Sequence, residues 1–335
     1  MIRRLWAVLA VLTTISLLLT SAAESTPRTV TFLGDLGGGL SWPLGINDTG
    51  LIVGYSETQP DAPLGGPIHA FVWDGAMHDL GVAAPGDNSL AFGVNATGLI
   101  VGVSGALPVF WSDRVIHGLP LPPGHLSGNA RAVNDQGVIV GETRTFEPPG
   151  ITMTHATVWE NGVPRVLPPL PGARFTGATD LNERGQIVGF SAFTESGLLH
   201  AVLWDGGTVR DLGALEGDFF SGTDSINEEG QVLGFSSGDN GSQVLLWEDG
   251  AFAIPRPFTR FPNSFAGGIN DRGAIAATIY LPTGDCCSAV LAKGPDKRKV
   301  EVIQTSAFSV DVNNHGHVIG VDTSGPENRG FVWGG

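Results

Sequence analysis

The chain has 335 residues, a formal net charge of −15, 49 glycines and 2 cysteines. An acidic balance of this size disfavours nucleic acids and anionic membranes as partners, because a negative surface is repelled by both. The two cysteines, Cys286 and Cys287, are adjacent and too few to hold a fold together by disulfides. A strained vicinal disulfide, two packed thiols and a bridge to another chain all stay open.

Residues 1–23 have the pattern of a signal peptide. Arg3 and Arg4 precede the apolar run Leu5–Leu19, and the small residues Ser21–Ala23 form a cleavage site. The apolar run is too short to span a bilayer comfortably. We therefore expect a mature chain of residues 24–335 that is secreted or periplasmic and has no membrane span after cleavage.

The rest of the chain repeats the motif Asn-x-x-Gly. Successive asparagines are 48, 39, 48, 45, 43 and 43 residues apart, and a period of this size indicates a ring or stack of small β-units. Asparagine at the first position and glycine at the fourth are typical of a hairpin turn. We number the repeat units one to seven by their motifs, which are Asn47–Gly50, Asn95–Gly98, Asn134–Gly137, Asn182–Gly185, Asn227–Gly230, Asn270–Gly273 and Asn313–Gly316.

Unit two shows the strand pattern most simply. Its turn residues separate four short strands, predicted at Ser89–Val94, Leu99–Ser104, Pro108–Trp111 and Arg114–Leu119. Four antiparallel strands in roughly 45 residues are typical of a β-propeller blade. A β-solenoid is the alternative, but its coils are usually shorter and lack paired hairpin turns.

The two ends of the chain complement each other. Unit seven stops after its third strand, whereas a strand at Thr29–Leu36 precedes unit one and ends in the Asp-Leu-Gly sequence that also closes the fourth strands of units one and four. The sequence thus predicts an all-β fold, a single seven-bladed β-propeller of four-stranded blades over residues 24–335. The N-terminal strand closes the last blade, so that no sheet edge is left exposed.

The predicted strand order places the tight turns on one face and the longer connections on the other. Function usually lies on the longer loops of a rigid scaffold, and aromatic side chains there can stack on a sugar or grip a peptide. The alternative is that these side chains pack between blades and belong to the hydrophobic core. The aromatic candidates are Phe175, Phe219, Phe220 and Phe261 on connections between units, and Trp42 and Phe265 at strand starts.

The residue three positions before each motif asparagine is irregular. Phe92, Arg131 and Asp224 are candidate binding residues in this series, and Arg131 and Asp224 break an otherwise small or apolar set. They either reach into the central channel or form ordinary hydrogen bonds.

Several motifs resemble catalytic patterns, but their positions in the repeat explain them without catalysis. Gly234–Gly238 matches G-x-S-x-G, but that motif needs a strand-to-helix elbow, and here it ends a second strand. His69, His155 and His200 open the third strands of different units, where bonds within the unit are expected. We predict no catalytic residue, no metal ligand and no cofactor.

The segments Asp35–Ser56 and His69–Gly75 resemble the bacterial HAF-family extracellular repeat. The resemblance covers nearly all of Thr29–Trp333 and is strongest in units one, four and five. It implies an exported repeat protein without an established activity, and it implies no catalytic residues.

Three functions remain open at this point. The first is an exported binding or interaction module, expected to be a monomer, that meets a glycan, peptide or protein through its long-loop face. The alternative is a secreted glycan hydrolase or lyase with its site at the channel mouth, and the third is a structural surface protein. An enzyme needs convergent titratable groups, and Asp180, Asp224, Asp311 and Arg131 form no recognisable set in the sequence.

Overall fold

A computed structural model describes residues 28–60, 66–147, 150–193, 198–239, 241–280, 287–296 and 298–334. These residues form an all-β protein of 28 strands. Within the described ranges there is no helix of the length and apolarity needed to cross a membrane. The predicted signal peptide and Cys286 lie outside the described residues, and Cys287 is buried.

Units one to four each contribute four strands in chain order. Their bounds are β2 (Ser41–Ile46), β3 (Ile52–Glu57), β4 (Ile68–Trp73) and β5 (Met77–Asp79); β6 (Ser89–Val94), β7 (Ile100–Ser104), β8 (Leu107–Ser112) and β9 (Val115–Gly118); β10 (Ser127–Val133), β11 (Ile139–Glu147), β12 (Ile151–Glu160) and β13 (Val163–Val166); β14 (Phe175–Leu181), β15 (Ile187–Ala192), β16 (Leu199–Asp205) and β17 (Thr208–Asp211).

Units five to seven follow the same order, and the last unit takes its outer strand from the other end of the chain. The bounds are β18 (Asp218–Ile226), β19 (Val232–Gly238), β20 (Gly241–Glu248) and β21 (Ala251–Ala253); β22 (Ser264–Ile269), β23 (Ile275–Ile279), β24 (Ser288–Ala292) and β25 (Glu301–Thr305); β26 (Ala307–Val312), β27 (Val318–Asp322) and β28 (Arg329–Gly334), beside β1 (Thr29–Phe32).

Within every unit the strands pair antiparallel with their sequence neighbours. Strand β1 pairs with β28, so that Thr29 faces Gly334 and Phe32 faces Phe331. A single parallel bridge between Leu199 and Phe220 links the sheets of units four and five. The sheets are thus separate four-stranded layers, apart from that one bridge.

The core lies between successive units. Val140 and Val158 of unit three pack with Leu181 and Trp204 of unit four, for example. A strand that is covered on both faces has a continuous apolar sequence instead of an alternating one. Strand β23 is an example, because every one of its residues is buried. The third-strand tryptophans add a polar link, because their Nε1 atoms donate to backbone carbonyls of the preceding unit; these bonds are Trp111 to Leu80, Trp159 to Pro120, Trp204 to Pro168 and Trp247 to Leu212.

The seven motif asparagines form a closed hydrogen-bond cycle. Their side chains are 2–6% exposed, and each Oδ1 accepts the backbone N–H four residues later, which fixes the turn. Each Nδ2 donates to the backbone carbonyl of the asparagine in the next unit, at 2.8–3.4 Å, and Asn313 of unit seven donates to Asn47 of unit one. The motif therefore joins neighbouring units as well as closing hairpins.

Candidate functional site

A β-bulge aims one side chain per unit toward the centre of the molecule. In all seven units the pairing of the first and second strands shifts register at the residue three before the asparagine. Bulges re-aim side chains and are frequent beside functional sites. The bulged residues, all of which line one cavity, are Leu44, Phe92, Arg131, Thr179, Asp224, Gly267 and Val310.

This central cavity has a volume of about 260 Å³ and touches the first strand of every unit. The bulged residues divide its wall into two arcs. Units three to five supply the polar side chains Arg131, Thr179 and Asp224. Units six, seven, one and two supply glycine or apolar side chains.

Arg131 carries a positive charge into the cavity. Its guanidinium lies over the Phe92 ring, 4.5 Å from the ring centroid, in a cation–π contact between units three and two. Burial lowers the pKa of Arg131 below its usual value, but a guanidinium remains protonated in proteins. Among the described residues it has neither an ion-pair partner nor a side-chain hydrogen bond.

Asp224 faces the same cavity from unit five. Protein atoms crowd its carboxyl, which raises its pKa to about 7, although the side chain stays open to the cavity space. Water that reaches the carboxyl through that space reduces the energetic cost of its charge. Within the described part of the chain Asp224 has no hydrogen-bond or ion-pair partner, and it does not pair with Arg131.

Two further carboxyl groups line the cavity, but both already accept hydrogen bonds from backbone N–H groups. Asp180 accepts the N–H groups of Leu181 and of Ile226 in the next unit, and Asp311 accepts those of Val312 and of Ile46. Burial raises the pKa of Asp180 to about 7 and that of Asp311 to about 6. Both side chains connect neighbouring units, which is a structural use of the carboxylate.

A second cavity, of about 330 Å³, lies on the asparagine face and shares wall residues with the central cavity. We call it the acidic mouth. Asp311 is one of its six carboxyl groups. The other five follow the asparagines directly, and each accepts a backbone N–H from the unit before it in the cycle. They belong to Asp48, Asp135, Glu183, Glu228 and Asp271.

The aromatic candidates of the long-loop face are placed individually rather than as one cluster. Trp42 stacks parallel to Tyr55 of its own unit with ring centroids 6.4 Å apart, and Phe265 meets Tyr280 edge to face. Phe261 packs against the apolar core around Phe258, as expected if it belongs to the hydrophobic core and not to a binding surface. None of these three lines the central cavity.

The predicted loop positions of Phe175, Phe219 and Phe220 were wrong. Phe175 opens β14, and Phe219 and Phe220 lie in β18. The first strand extends further here because Asp218 and Phe220 pair with Gly238 and Ser237 of β19. Phe219 and Phe220 remain about as exposed as Phe265, at 44%, 43% and 45%.

The other motif residues have structural partners. Ser236 is fully buried, accepts the Leu215 N–H and donates to the Asp218 carboxylate. His69 pairs with Asp79, His155 contacts Thr145 and His200 pairs with Asp211, each within its own unit. Within the described ranges no group of three or more His, Cys, Asp or Glu is arranged to hold a metal ion.

The sequence identified Phe92, Arg131 and Asp224 one by one, and the structure brings them to one cavity with Asp180 and Asp311. The column three residues before the asparagines, where two charged residues interrupt a small and apolar series, had indicated the central channel as one of two locations for Arg131 and Asp224. Asp180 and Asp311 lie outside that column, and the sequence did not connect them with it.

No family model and no curated protein matches this chain. Among solved structures it is similar to a puromycin hydrolase at 13% identity and a TM-score of 0.60, covering 89% of this chain and 52% of that one. It is also similar to the β-propeller domain of the Trilobed protease from Pyrococcus furiosus, at 14% identity and a TM-score of 0.53, with 79% and 84% covered. An acylaminoacyl peptidase from Pyrococcus horikoshii gives 13% identity and a TM-score of 0.53, with 90% and 53% covered.

The chain thus spans about half the length of the hydrolase and of the peptidase. At these identities the similarity concerns the fold alone. The protein is a β-propeller.

Proposed function

We propose that this protein is an exported, non-enzymatic binding module built as a seven-bladed propeller, with its ligand site in the central cavity. Each repeat unit is one blade, and β1 closes the seventh. The asparagine cycle, which returns from Asn313 to Asn47, supports this ring, as does the contact of all seven first strands with one cavity. Export rests on the signal-peptide pattern of residues 1–23 and on the HAF-like repeat.

The observation that carries the binding function is a pair of opposite charges without protein partners. Arg131 and Asp224 face one cavity, from blades three and five, and neither forms an ion pair or a side-chain hydrogen bond with a described residue; the carboxylate that acts on Arg131, that of Glu142, is paired with Arg144. Arg131 is half-buried and Asp224 is exposed to the cavity space, so a ligand in the cavity can reach both charges. Groups held in this way are typical of a site that a ligand completes.

The alternative, a glycan hydrolase or lyase at the channel mouth, is supported less. Glycoside hydrolysis commonly needs two carboxyl groups that are both able to act on the substrate. Three carboxyls line the central cavity, but Asp180 and Asp311 are held by two backbone amides each. Asp224 is then the one carboxyl of the three without such bonds.

The test is a ligand screen on residues 24–335, using a glycan array and a panel of small metabolites. Each hit is repeated with Arg131→Gln and Asp224→Asn, and with Arg114→Gln as a control on an exposed turn. We expect hits whose affinity falls at least about tenfold in the cavity variants, which corresponds to about 1.4 kcal/mol. Hits lost in Trp42→Ala and Phe220→Ala but kept in the cavity variants would assign binding to the long-loop face instead.

A further inference from the structure

We propose that the central cavity binds a small α-amino acid with an aliphatic side chain, its carboxylate on Arg131 and its ammonium on Asp224. This inference rests on the proposed binding function and names its ligand class. The described residues that carry it are the seven bulged positions, which place both charges on one side of a small space and apolar or glycine residues on the other.

Arg131 is suited to a carboxylate. A guanidinium offers five N–H donors in a planar fork that matches a carboxylate in bidentate geometry. Phe92 covers the flat face of this fork at 4.5 Å and so fixes its orientation. The N–H donors along the edge have no acceptor among the described residues, so a ligand carboxylate can occupy them.

Asp224 supplies the complementary position for an ammonium group. Like Arg131, it occupies the bulged position of its unit, two units further along the chain, and Thr179 occupies that position in the unit between them. The two charges do not pair directly. The Thr179 hydroxyl is already bonded to Thr223 and to the carbonyl of Val188. A ligand that satisfies both charges must therefore carry both signs.

The remaining bulged positions determine which kind of ligand side chain fits the cavity. On the opposite arc Leu44, Val310 and Gly267 offer no hydrogen-bonding side chain, and the Asp311 carboxyl next to Val310 already accepts two backbone N–H groups. An aliphatic group gains free energy there by leaving water, at about 25 cal/mol per Å² of buried apolar surface. A volume of about 260 Å³ lies below the roughly 300–1,000 Å³ of pockets for drug-sized ligands, so the ligand is small.

The approach to the cavity disfavours a simple anion. The acidic mouth places five carboxylates next to the shared wall residues, and such a field repels anions. A purely cationic ligand leaves the Arg131 donors empty and adds a second positive charge beside them. A zwitterion has no net charge to be repelled and satisfies both groups.

The experiment compares three matched probes by titration calorimetry with residues 24–335. L-Leucine carries both charged groups, 4-methylpentanoate lacks the ammonium, and 3-methylbutylamine lacks the carboxylate. We expect leucine to bind at least about tenfold more tightly than either single-charge analogue, the loss typical of an unpaired polar group in a site. L-Lysine and L-glutamate, whose side chains are charged, should bind more weakly than leucine.

Single substitutions test the Arg131 contact and the Asp224 contact separately. Arg131→Gln should weaken leucine but not 3-methylbutylamine, which loses a like charge beside it, whereas Asp224→Asn should weaken leucine but not 4-methylpentanoate, for the same reason. Arg131→Lys keeps the charge without the fork and should give an intermediate affinity for leucine. Circular dichroism and the thermal midpoint show whether each variant is folded, and Arg114→Gln is the surface control.

Several outcomes overturn the inference: no leucine binding at millimolar concentration, an analogue that binds as tightly as leucine, or leucine binding that survives both cavity variants. If another ligand still depends on Arg131 or Asp224, the binding function stands and the ligand class is wrong. If no ligand in any screen depends on either residue, the proposed function falls as well.

Discussion

At the scale of single residues, the asparagine amide makes two different hydrogen bonds, which a close substitute cannot both make. Its oxygen closes the turn and its nitrogen donates to the neighbouring unit, as in Asn95, which accepts from Leu99 N–H and donates to the Asn134 carbonyl at 2.9 Å. An aspartate has the same shape but no donor when ionised. Asn47 and Asn95 also begin glycosylation sequons, yet both side chains are buried in the cycle.

Asn95→Asp is therefore expected to destabilise the protein by about 1–3 kcal/mol at neutral pH, because a buried carboxylate would face a carbonyl oxygen. The new carboxyl should have a raised pKa in the folded state, since only its protonated form can donate. The loss of stability should consequently shrink as the pH is lowered toward 4. Urea unfolding at pH 4.5 and 7.5 measures this, and equal losses at both values would contradict it.

The control for that measurement is Asn161→Asp. Asn161 lies on an exposed turn with a φ of 52° and takes no part in the cycle. It undergoes the same change of charge, so its free energy of unfolding should stay within about 0.5 kcal/mol of the natural chain.

Asp224 shows the opposite relation between a residue and stability. Its pKa is raised to about 7 in the folded protein, against about 3.9 in an unfolded chain. Its contribution to stability is therefore complete below about pH 4 and is lost as the pH rises through about 7. The charged form of Asp224 thus weakens the fold at neutral pH, a cost that the proposed ligand ammonium would offset.

Asp224→Asn should accordingly stabilise the protein at pH 8, by about 1 kcal/mol once cavity water is allowed for, and should change little at pH 4. Thermal unfolding across that range measures the difference. Asp113→Asn, on an exposed turn, is the matched control and should show no such trend. A variant that is less stable than the natural chain at pH 8 would show that Asp224 has a structural partner.

At the scale of elements, β1 joins the two ends of the chain. Its pairing with β28 runs from Thr29 opposite Gly334 to Phe32 opposite Phe331. Leu33 follows it and is buried with Ile46, Phe71 and Ile319, which belong to units one and seven. The segment thus connects the first and last units both by strand pairing and by packing.

Leu33→Ala should lower the free energy of unfolding by about 2–5 kcal/mol, through lost burial and the cavity left behind. Because the segment joins two units, we expect one cooperative transition at a lower midpoint rather than local fraying. Thr31→Ala, on the exposed side of the same strand, is the control and should have little effect. A tenfold rise in proteolysis limited to residues 28–37, with an unchanged thermal midpoint, would contradict this view of β1.

At the scale of the whole molecule, the negative charge is concentrated as well as large. The acidic mouth places five carboxylates around one axis, and burial raises the pKa of Glu183 among them. These groups accept backbone N–H bonds, for instance Glu183 from Asp135 and Glu228 from Glu183. A glutamine can keep each bond while removing the charge.

The double variant Glu183→Gln and Glu228→Gln should therefore raise the stability at low salt, by a few tenths to about 1 kcal/mol. The gain should disappear at 0.5 M NaCl, where the Debye length falls to a few ångströms. Glu216→Gln with Glu327→Gln removes two exposed charges elsewhere and serves as the comparison. Equal gains in the two double variants would mean that net charge, rather than the mouth, sets the effect.

The sequence predicts the fold well because its signals are local. Each Asn-x-x-Gly occupies four residues, and the strands around it follow from apolar runs between turn residues, so β6 to β9 lie within a residue or two of their predicted bounds. The bulge before each asparagine is different, because it depends on how two strands pair. Arg131 and Asp224 lie 93 positions apart, and they meet at one cavity because the first strands of all seven units line it.

The asparagine cycle also has a direction. Every amide donates toward the unit that follows it, and Asn313 does the same toward Asn47 across the break in the chain. A head-to-tail cycle of this kind has no first or last member, and its dipoles polarise one another in a single rotational sense. A circular permutant opened between two other units, with Gly334 joined to Thr29 by a short turn, would therefore carry the same seven bonds in the same sense.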